Sequence, residues 1–347
     1  RLKLRNELQP IEYYQFGLDD PSIPWEEKLS YLGASRVRKI WKIMTPSRYH
    51  YVFKNKLVFK RVFGGAGLPL PTLHAVYDPH WGRTEDGEPF RTASDIRSWI
   101  ASGRARAPVF KPVESAEGRM VLVTRGRSPE APDVLERLDG TELTAQQLVE
   151  HFNDEEQLRV AYPQYAEPLR TFLVEERLLT HSALRELTME TFCCARILTL
   201  VTLDGTVEIL HTSMKLQSAP SGIDNVAQGA MGVGVEPETG VLGDGLLKHG
   251  PVGKRYTELP ETGKRFTGFR LPLWKEAIDL ARRAATVFPQ AHTVGWDIGF
   301  TDHGVVLVEG NAAWGEWQGE CRKGLLQGCF SETLAALAER EALERAL

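Results

Sequence analysis

The stretch TVGWDIGFTDHGVVLVEGNAAWGEWQ, residues 293–318, decides how this chain is read. It divides into two apolar arms around Asp302-His303-Gly304, a three-residue turn with Gly where a left-handed backbone is needed. Such a turn pairs Thr301 with Val305. Counting four places outward sets Asp297 opposite Glu309, and Asn311, two residues further on, shares that face of its strand. Two carboxylates and an amide thus converge on one patch among Val, Ile, Leu and Phe. Like charges directly opposite one another destabilise a sheet. A cation between them removes the objection, and an all-oxygen set of this kind suits Mg²⁺ carrying nucleotide phosphates.

Working outward, the 347 residues are enough for two or three lobes around a substantial core. An apolar content of 42% with 25% charged residues is that of a globular protein, and a net charge of −4 marks no general polyanion binder. Nucleic acid is therefore not an expected partner. No apolar run approaches the length of a membrane span, and RLKLRNELQP at the N-terminus has no apolar signal-peptide core. The four cysteines, Cys193, Cys194, Cys321 and Cys329, match neither a zinc nor a disulfide spacing, so free thiols in a reducing cytoplasm are expected.

Residues 1–53 read as mainly helical and broken by turns. KNKLVFKRVFGGAGL (54–68) reads as a helix stopped by glycines, PLPTLHAVYD as a short strand, and 94–103 as a helix. APVFKPVESAEGRMVLV reads as strand, polar turn and strand. TAQQLVEHFND carries helix-capping residues, TFLVEERLL a strand running into a hinge, and FCCARILTLVTLDGTVEILHTSMKL a hairpin about Asp204-Gly205. Residues 217–268, rich in Gly and without periodicity, read as a long binding loop or lid. PLWKEAIDLARRAATVF is an amphipathic helix feeding the 293–318 hairpin, and 331–347 a terminal helix. Helices alternate with hairpins rather than with single strands, which argues against a doubly wound nucleotide fold. GAMGVG (229–234) does not follow a strand and open a helix, so it reads as a flexible loop.

Several basic and acidic groups stand where a nucleotide would need them. Lys111 ends the apolar run PVF, where an ammonium needs a partner, and the small-residue turn from Ser115 to Gly118 follows with backbone N–H groups able to fold over phosphates. Lys60 precedes the GGAGLPLP turn. LVEERLL (173–179) places Glu175 and Glu176 after an apolar strand, at an exit whose backbone can hydrogen-bond an adenine edge. Arg196 and Lys215 lie on the two arms of the next hairpin at similar distances from Gly205, facing a phosphate together or standing as exposed cross-strand charges.

With those segments in view, the chain resembles the ATP-grasp superfamily, and within it the sugar-transfer-associated branch. The resemblance rests on KNKLVFKRVFGGAGLPLP (54–71), VFKP with the SAEG turn (109–118), LVEERLL (173–179), TFCCARILTL (191–200), IDNVAQGAMG (223–232) and GWDIGF…VVLVEGN (295–311). It implies an α+β ATP-grasp fold, two α+β lobes clamping ATP, with a helical N-terminal region. The corresponding division is a mainly helical lobe at 1–105, a small lobe with a phosphate lid at 106–178, and a large lobe with the metal site at 179–347. It further implies that Lys60 and Lys111 contact ATP phosphates beneath a lid at Ser115 and Gly118. Glu175, Glu176 and the main chain through Leu178 would hold the adenine. Arg196 and Lys215 would act on the phosphoryl group, and Asp297, Glu309 and Asn311 would bind one or two Mg²⁺ ions, or Mn²⁺. Asp224, Asn225 and Gln228 would meet the substrate. THSALREL (180–187) departs from the branch by leaving its acidic ribose ligand without a clear counterpart, Glu186 being the nearest.

The expected reaction is ATP-dependent joining of a carboxylate to an amine through an acyl-phosphate, with small-molecule substrates, a homodimer as the candidate assembly, and neither nucleic acid nor membrane as partner. Two rivals stand beside it. One is a kinase acting on a hydroxyl such as that of a sugar, with Asp224 or His211 as base. The other is an ATP-binding module without turnover in assembly of a surface polymer.

Overall fold

A computed structural model describes residues 2–115, 118–163, 165–188, 191–216, 230–247, 250–315 and 318–346. The chain forms two compact units. The smaller comprises Lys54–Arg61 and Leu70–Leu179, the larger Arg1–Phe53, Val62–Pro69 and Thr180–Leu347.

The smaller unit is built on β1 (Leu73–Tyr77), β2 (Arg83–Thr84), β3 (Pro108–Pro112), β4 (Leu122–Arg127), β5 (Leu135–Arg137), β6 (Glu142–Leu143) and β7 (Phe172–Glu176). They form an antiparallel sheet in the order β2-β1-β7-β3-β4-β5-β6. Helix Ala93–Ser102 begins at a Thr92–Asp95 capping box and stops at Gly103, whose φ of 66° is left-handed. Helix Ala145–Phe152 begins at the Thr144–Gln147 box. Its Leu148 and Phe152, one turn apart, are fully buried with Phe110 and Phe172 of the sheet. Each such side chain contributes about 1.5–3 kcal/mol of burial. Phe152 and Phe172 have ring centroids 4.4 Å apart.

The larger unit carries β8 (Cys194–Val201), β9 (Val207–Leu216), β10 (Met231–Val235), β11 (Leu242–Leu247), β12 (Arg255–Tyr256), β13 (Thr293–Thr301) and β14 (Gly304–Asn311). Their order is β12-β11-β10-β9-β8-β13-β14, again antiparallel. Helix Trp274–Val287 lays Ala277, Ala281 and Ala284 against this sheet, and helix Gln318–Cys321 lies along β9, β10 and β11. The N-terminal region is helical as expected. Its longest helix, Ala34–Met44, buries Val37, Ile40 and Met44 with Trp314 and Phe330. Among the described residues no helix is long and apolar enough to cross a membrane. All four cysteines are free thiols, Cys193 and Cys194 being buried.

Two readings of the sequence are corrected. First, the β13–β14 turn is one residue shorter than expected: Thr301 pairs with Gly304 and Phe300 with Val305. Val308 then bulges out of β14, so that Asp297 still pairs with Glu309. Second, residues 217–268 are not one long loop, because β10, β11 and β12 lie within it. Glycine hides these strands by leaving no alternating side chains to read. Close contacts require it: a Cβ at Gly234 would lie 2.3 Å from the carbonyl oxygen of Glu320, and one at Gly245 would lie 2.2 Å from the Met231 sulfur. GAMGVG therefore runs into a central strand rather than a flexible loop.

Candidate functional site

Within the smaller unit, Glu175 on β7 is the hub of a buried ionic cluster. Its Oε1 lies 2.9 Å from Lys60 Nζ and its Oε2 lies 2.7 Å from Lys111 Nζ. Lys111 reaches it because β3 and β7 are neighbours, Lys111 pairing with Leu173 and Val109 with Glu175, so the two side chains share a face. Lys60 comes from helix Lys56–Gly65 and also donates to the Pro71 carbonyl at 2.6 Å. Burial opposes charge on Glu175, but Lys111 and Lys60 outweigh it and hold its pKa at about 2. For Lys60 burial is the larger influence and lowers its pKa, with Glu175 acting the other way.

Glu176 points to the opposite side of β7. It accepts from the backbone N–H groups of Arg106 and Ala107 at 3.1 and 2.9 Å and meets His74 Nε2 at 3.0 Å. Leu178 follows, half-buried, beyond the strand end. The turn after β3 is anchored by Glu114, 3% exposed, which accepts from Asn55 at 3.1 Å and Tyr165 at 2.6 Å and lies 3.3 Å from Lys54 Nζ. The Ser115 carbonyl accepts from Lys56 at 2.8 Å, and Gly118 has a left-handed φ of 69°. Residues 116 and 117 lie outside the described residues. The anchoring group of Lys54, Asn55, Glu114 and Tyr165 was missed in the sequence, because it joins positions up to 111 residues apart.

Within the larger unit a second buried carboxylate gathers cations. Asp297 on β13 accepts from Arg196 Nε and Nη2 at 2.5 and 3.0 Å and from Lys215 Nζ at 3.0 Å. Arg196 sits directly opposite Asp297 on β8, and Lys215 on β9 is the diagonal neighbour of Arg196, which itself pairs with Ser213. Asp297 is 2% exposed. Burial works against its charge, yet Arg196 first and Lys215 second hold its carboxyl well below the usual carboxylate range. Glu309, half-exposed, stands opposite on β14, within side-chain hydrogen-bonding reach of Asp297. Asn311 Nδ2 donates to the Gly295 carbonyl at 3.2 Å and approaches Glu309 Oε1 at 3.4 Å.

Asp297, Glu309 and Asn311 therefore share one face and offer two carboxylates and one amide oxygen there, the amide Nδ2 being turned to Gly295 and Glu309. Among the described residues no three His, Cys, Asp or Glu side chains group as a metal cage. The set fits Mg²⁺ all the same, since that ion takes one or two carboxylates and completes its shell with water and phosphate oxygens. A carboxylate offers about four lone-pair positions, so the three N–H donors on Asp297 do not exhaust it. Asp224, Asn225, Gln228 and Trp317 lie outside the described residues. Trp314 is a core residue that donates to Thr293 Oγ1 at 3.0 Å.

Among solved structures the chain is similar to a biotin carboxylase–β,γ-ATP complex from Campylobacter jejuni, at 9% identity and TM-score 0.47 over 82% of this chain and 46% of that one. It is also similar to the biotin carboxylase domain of the Hydrogenobacter thermophilus 2-oxoglutarate carboxylase, solved with MgADP, ADP and bicarbonate (12% identity, TM-score 0.44, 83% of this chain and 46% of that one). A third is the VanG D-Ala:D-Ser ligase of Enterococcus faecalis (11%, TM-score 0.41, 82% and 61%). The chain thus spans about half the length of the first two. No curated protein matches it. The profile of the family described as sugar-transfer associated ATP-grasp matches residues 36–327, taking in both ionic clusters, and the chain belongs to that family, with its mixed α+β fold.

Proposed function

We propose that the protein is an ATP-dependent carboxylate–amine ligase acting through an acyl-phosphate. The observation that carries this is the buried Arg196–Asp297–Lys215 cluster with Glu309 and Asn311 beside it. Transfer of the γ-phosphoryl group to a carboxylate brings anions together, and the protein's share is to place fixed positive charge there. Asp297 holds Arg196 bidentately and Lys215 by one bond, so both cations are oriented before substrate arrives. A carboxylate oxygen attacks the γ-phosphorus, the bond to the β-phosphate oxygen breaks, and ADP leaves with that electron pair. The amine then adds to the acyl carbon, phosphate leaves, and the nitrogen loses a proton. No protein nucleophile takes part.

In this reading Lys60 and Lys111, oriented by Glu175, bind ATP phosphates, and the Ser115–Gly118 turn covers them. Glu175 and the main chain from Glu176 to Leu178 border the adenine, whereas the Glu176 side chain, turned to the other face of β7, does not. Asp297, Glu309 and Asn311 would hold Mg²⁺, which neutralises phosphate oxygens when bound. Asp224, Asn225 and Gln228 remain the proposed substrate contacts. The family's description as sugar-transfer associated favours an acid or amine carried on a sugar or made for transfer to one.

Hydroxylamine provides the test. With ATP, Mg²⁺ and a carboxylic acid, the enzyme should release ADP and phosphate and leave a hydroxamate. ADP release with a phosphorylated hydroxyl acceptor and no free phosphate would identify a kinase and overturn the ligase reading.

A further inference from the structure

Three consecutive residues just past β3 each hold the start of helix Lys56–Gly65. The Val113 carbonyl accepts from the Lys56 backbone N–H at 2.8 Å, Glu114 Oε1 from Asn55 Nδ2 at 3.1 Å, and the Ser115 carbonyl from Lys56 Nζ at 2.8 Å. Asn55 is the cap of that helix. Its Oδ1 accepts from the Val58 N–H at 3.0 Å and its own carbonyl from the Phe59 N–H at 2.9 Å.

Both lysines of the Glu175 cluster hang from this junction. Lys60 stands one turn after Lys56 on the helix, Lys111 precedes Glu114 at the end of β3, and each ammonium meets Glu175. Capping asks only for the Asn55 oxygen, which an Asp supplies equally well. The amide nitrogen is an extra group, and it is directed at Glu114. Asn55 is 7% and Glu114 3% exposed, so water competes little for this charge-assisted bond. The other oxygen of Glu114 is held by Tyr165 at 2.6 Å, with Lys54 Nζ 3.3 Å away and itself donating to the Tyr165 hydroxyl at 2.7 Å. Glu114 is thus fixed from behind and places Asn55 rather than following it.

We propose that Glu114 is a positioning residue for nucleotide binding, acting through Asn55 to set the helix that carries Lys60 against the strand that carries Lys111. The nucleotide half of the proposal rests on the assignment of these lysines to ATP phosphates; the tie itself does not.

The tie can be broken and rebuilt with the cap kept. Asn55→Asp retains the capping oxygen but turns a second carboxylate toward Glu114. Adding Glu114→Gln restores the bond with donor and acceptor exchanged, leaves an amide oxygen for Tyr165, and returns the net charge to that of wild type. Calorimetric titration of the full chain with ADP and Mg²⁺ should show affinity about tenfold lower in Asn55→Asp and within about twofold of wild type in the double variant. The Nζ NMR signals of Lys60 and Lys111, recorded without nucleotide, should move in the single variant and return in the double. Should Asn55→Asp not fold, Tyr165→Phe, which releases the far oxygen of Glu114, should lower ADP affinity several-fold. Variants that lose stability in urea yet keep wild-type ADP affinity and unmoved lysine signals would make Glu114 merely structural and overturn the proposal, as would a double variant that recovers neither. Lysine signals that follow the tie while Lys111→Met leaves ADP affinity unchanged would instead overturn the assignment of the lysines to phosphates, with the tie left standing.

Discussion

Replacing Glu175 by Gln removes the one carboxylate between Lys60 and Lys111 and leaves its shape in place. Lys60 is 8% exposed at its side chain and Glu175 5%, so solvent screens little of the loss. The carboxyl is held at about 2 against an ordinary 4.5. That difference of about 2.5 units, at 1.36 kcal/mol each, amounts to about 3 kcal/mol favouring the ionised form in the folded state. Breaking a buried pair by removing one partner costs a similar 3–5 kcal/mol or so. Because the folded value is depressed, this stability is fully present above about pH 4.5 and is lost as pH falls toward 2. Urea unfolding of wild type and Glu175→Gln should therefore differ by about 3 kcal/mol at pH 7 and converge between about pH 4.5 and 2. Lys60→Met added to Glu175→Gln should recover part of the loss by removing the stranded ammonium. A gap under about 1 kcal/mol at pH 7, or one that does not narrow in acid, would refute the account of Glu175 as the hub.

Glu309→Gln should keep the fold but lower Mg²⁺-dependent ATP turnover by a decade or more, about 1.4 kcal/mol in the barrier; full activity in steady-state assays would remove Glu309 from the metal site. Gly234→Ala places a methyl 2.3 Å from the Glu320 carbonyl oxygen and should cost about 1–3 kcal/mol in denaturant unfolding. The His211 ring should stay neutral in NMR titrations from pH 8 to 5. Its folded pKa lies below its unfolded one, so protonation of the unfolded chain lowers stability as pH falls below about 6.5.

The sequence showed some of this directly and hid the rest for physical reasons. A strand's period of two sufficed to put Asn311 on the face of Glu309. The pairing of Asp297 with Glu309 emerged from an expected turn one residue too long, an error that the Val308 bulge cancels. Arg196 and Lys215 were recognisable as a pair on one hairpin, but their joint grip on Asp297 was not, because it spans 101 and 82 residues of chain. Strands β10 and β11 escaped because glycine erases the alternation that marks a strand.

The bulge at Val308 has a consequence for how this hairpin tolerates change in length. A short turn with one bulged residue and a turn longer by one residue without a bulge bring Asp297 to the same partner. An insertion after His303 matched by deletion of Val308 leaves the two carboxylates in frame, whereas either alteration alone moves Glu309 by one place and turns it to the other side of the sheet. A change in length at the hairpin tip thus keeps the acidic pair in register only when the bulge at Val308 changes with it.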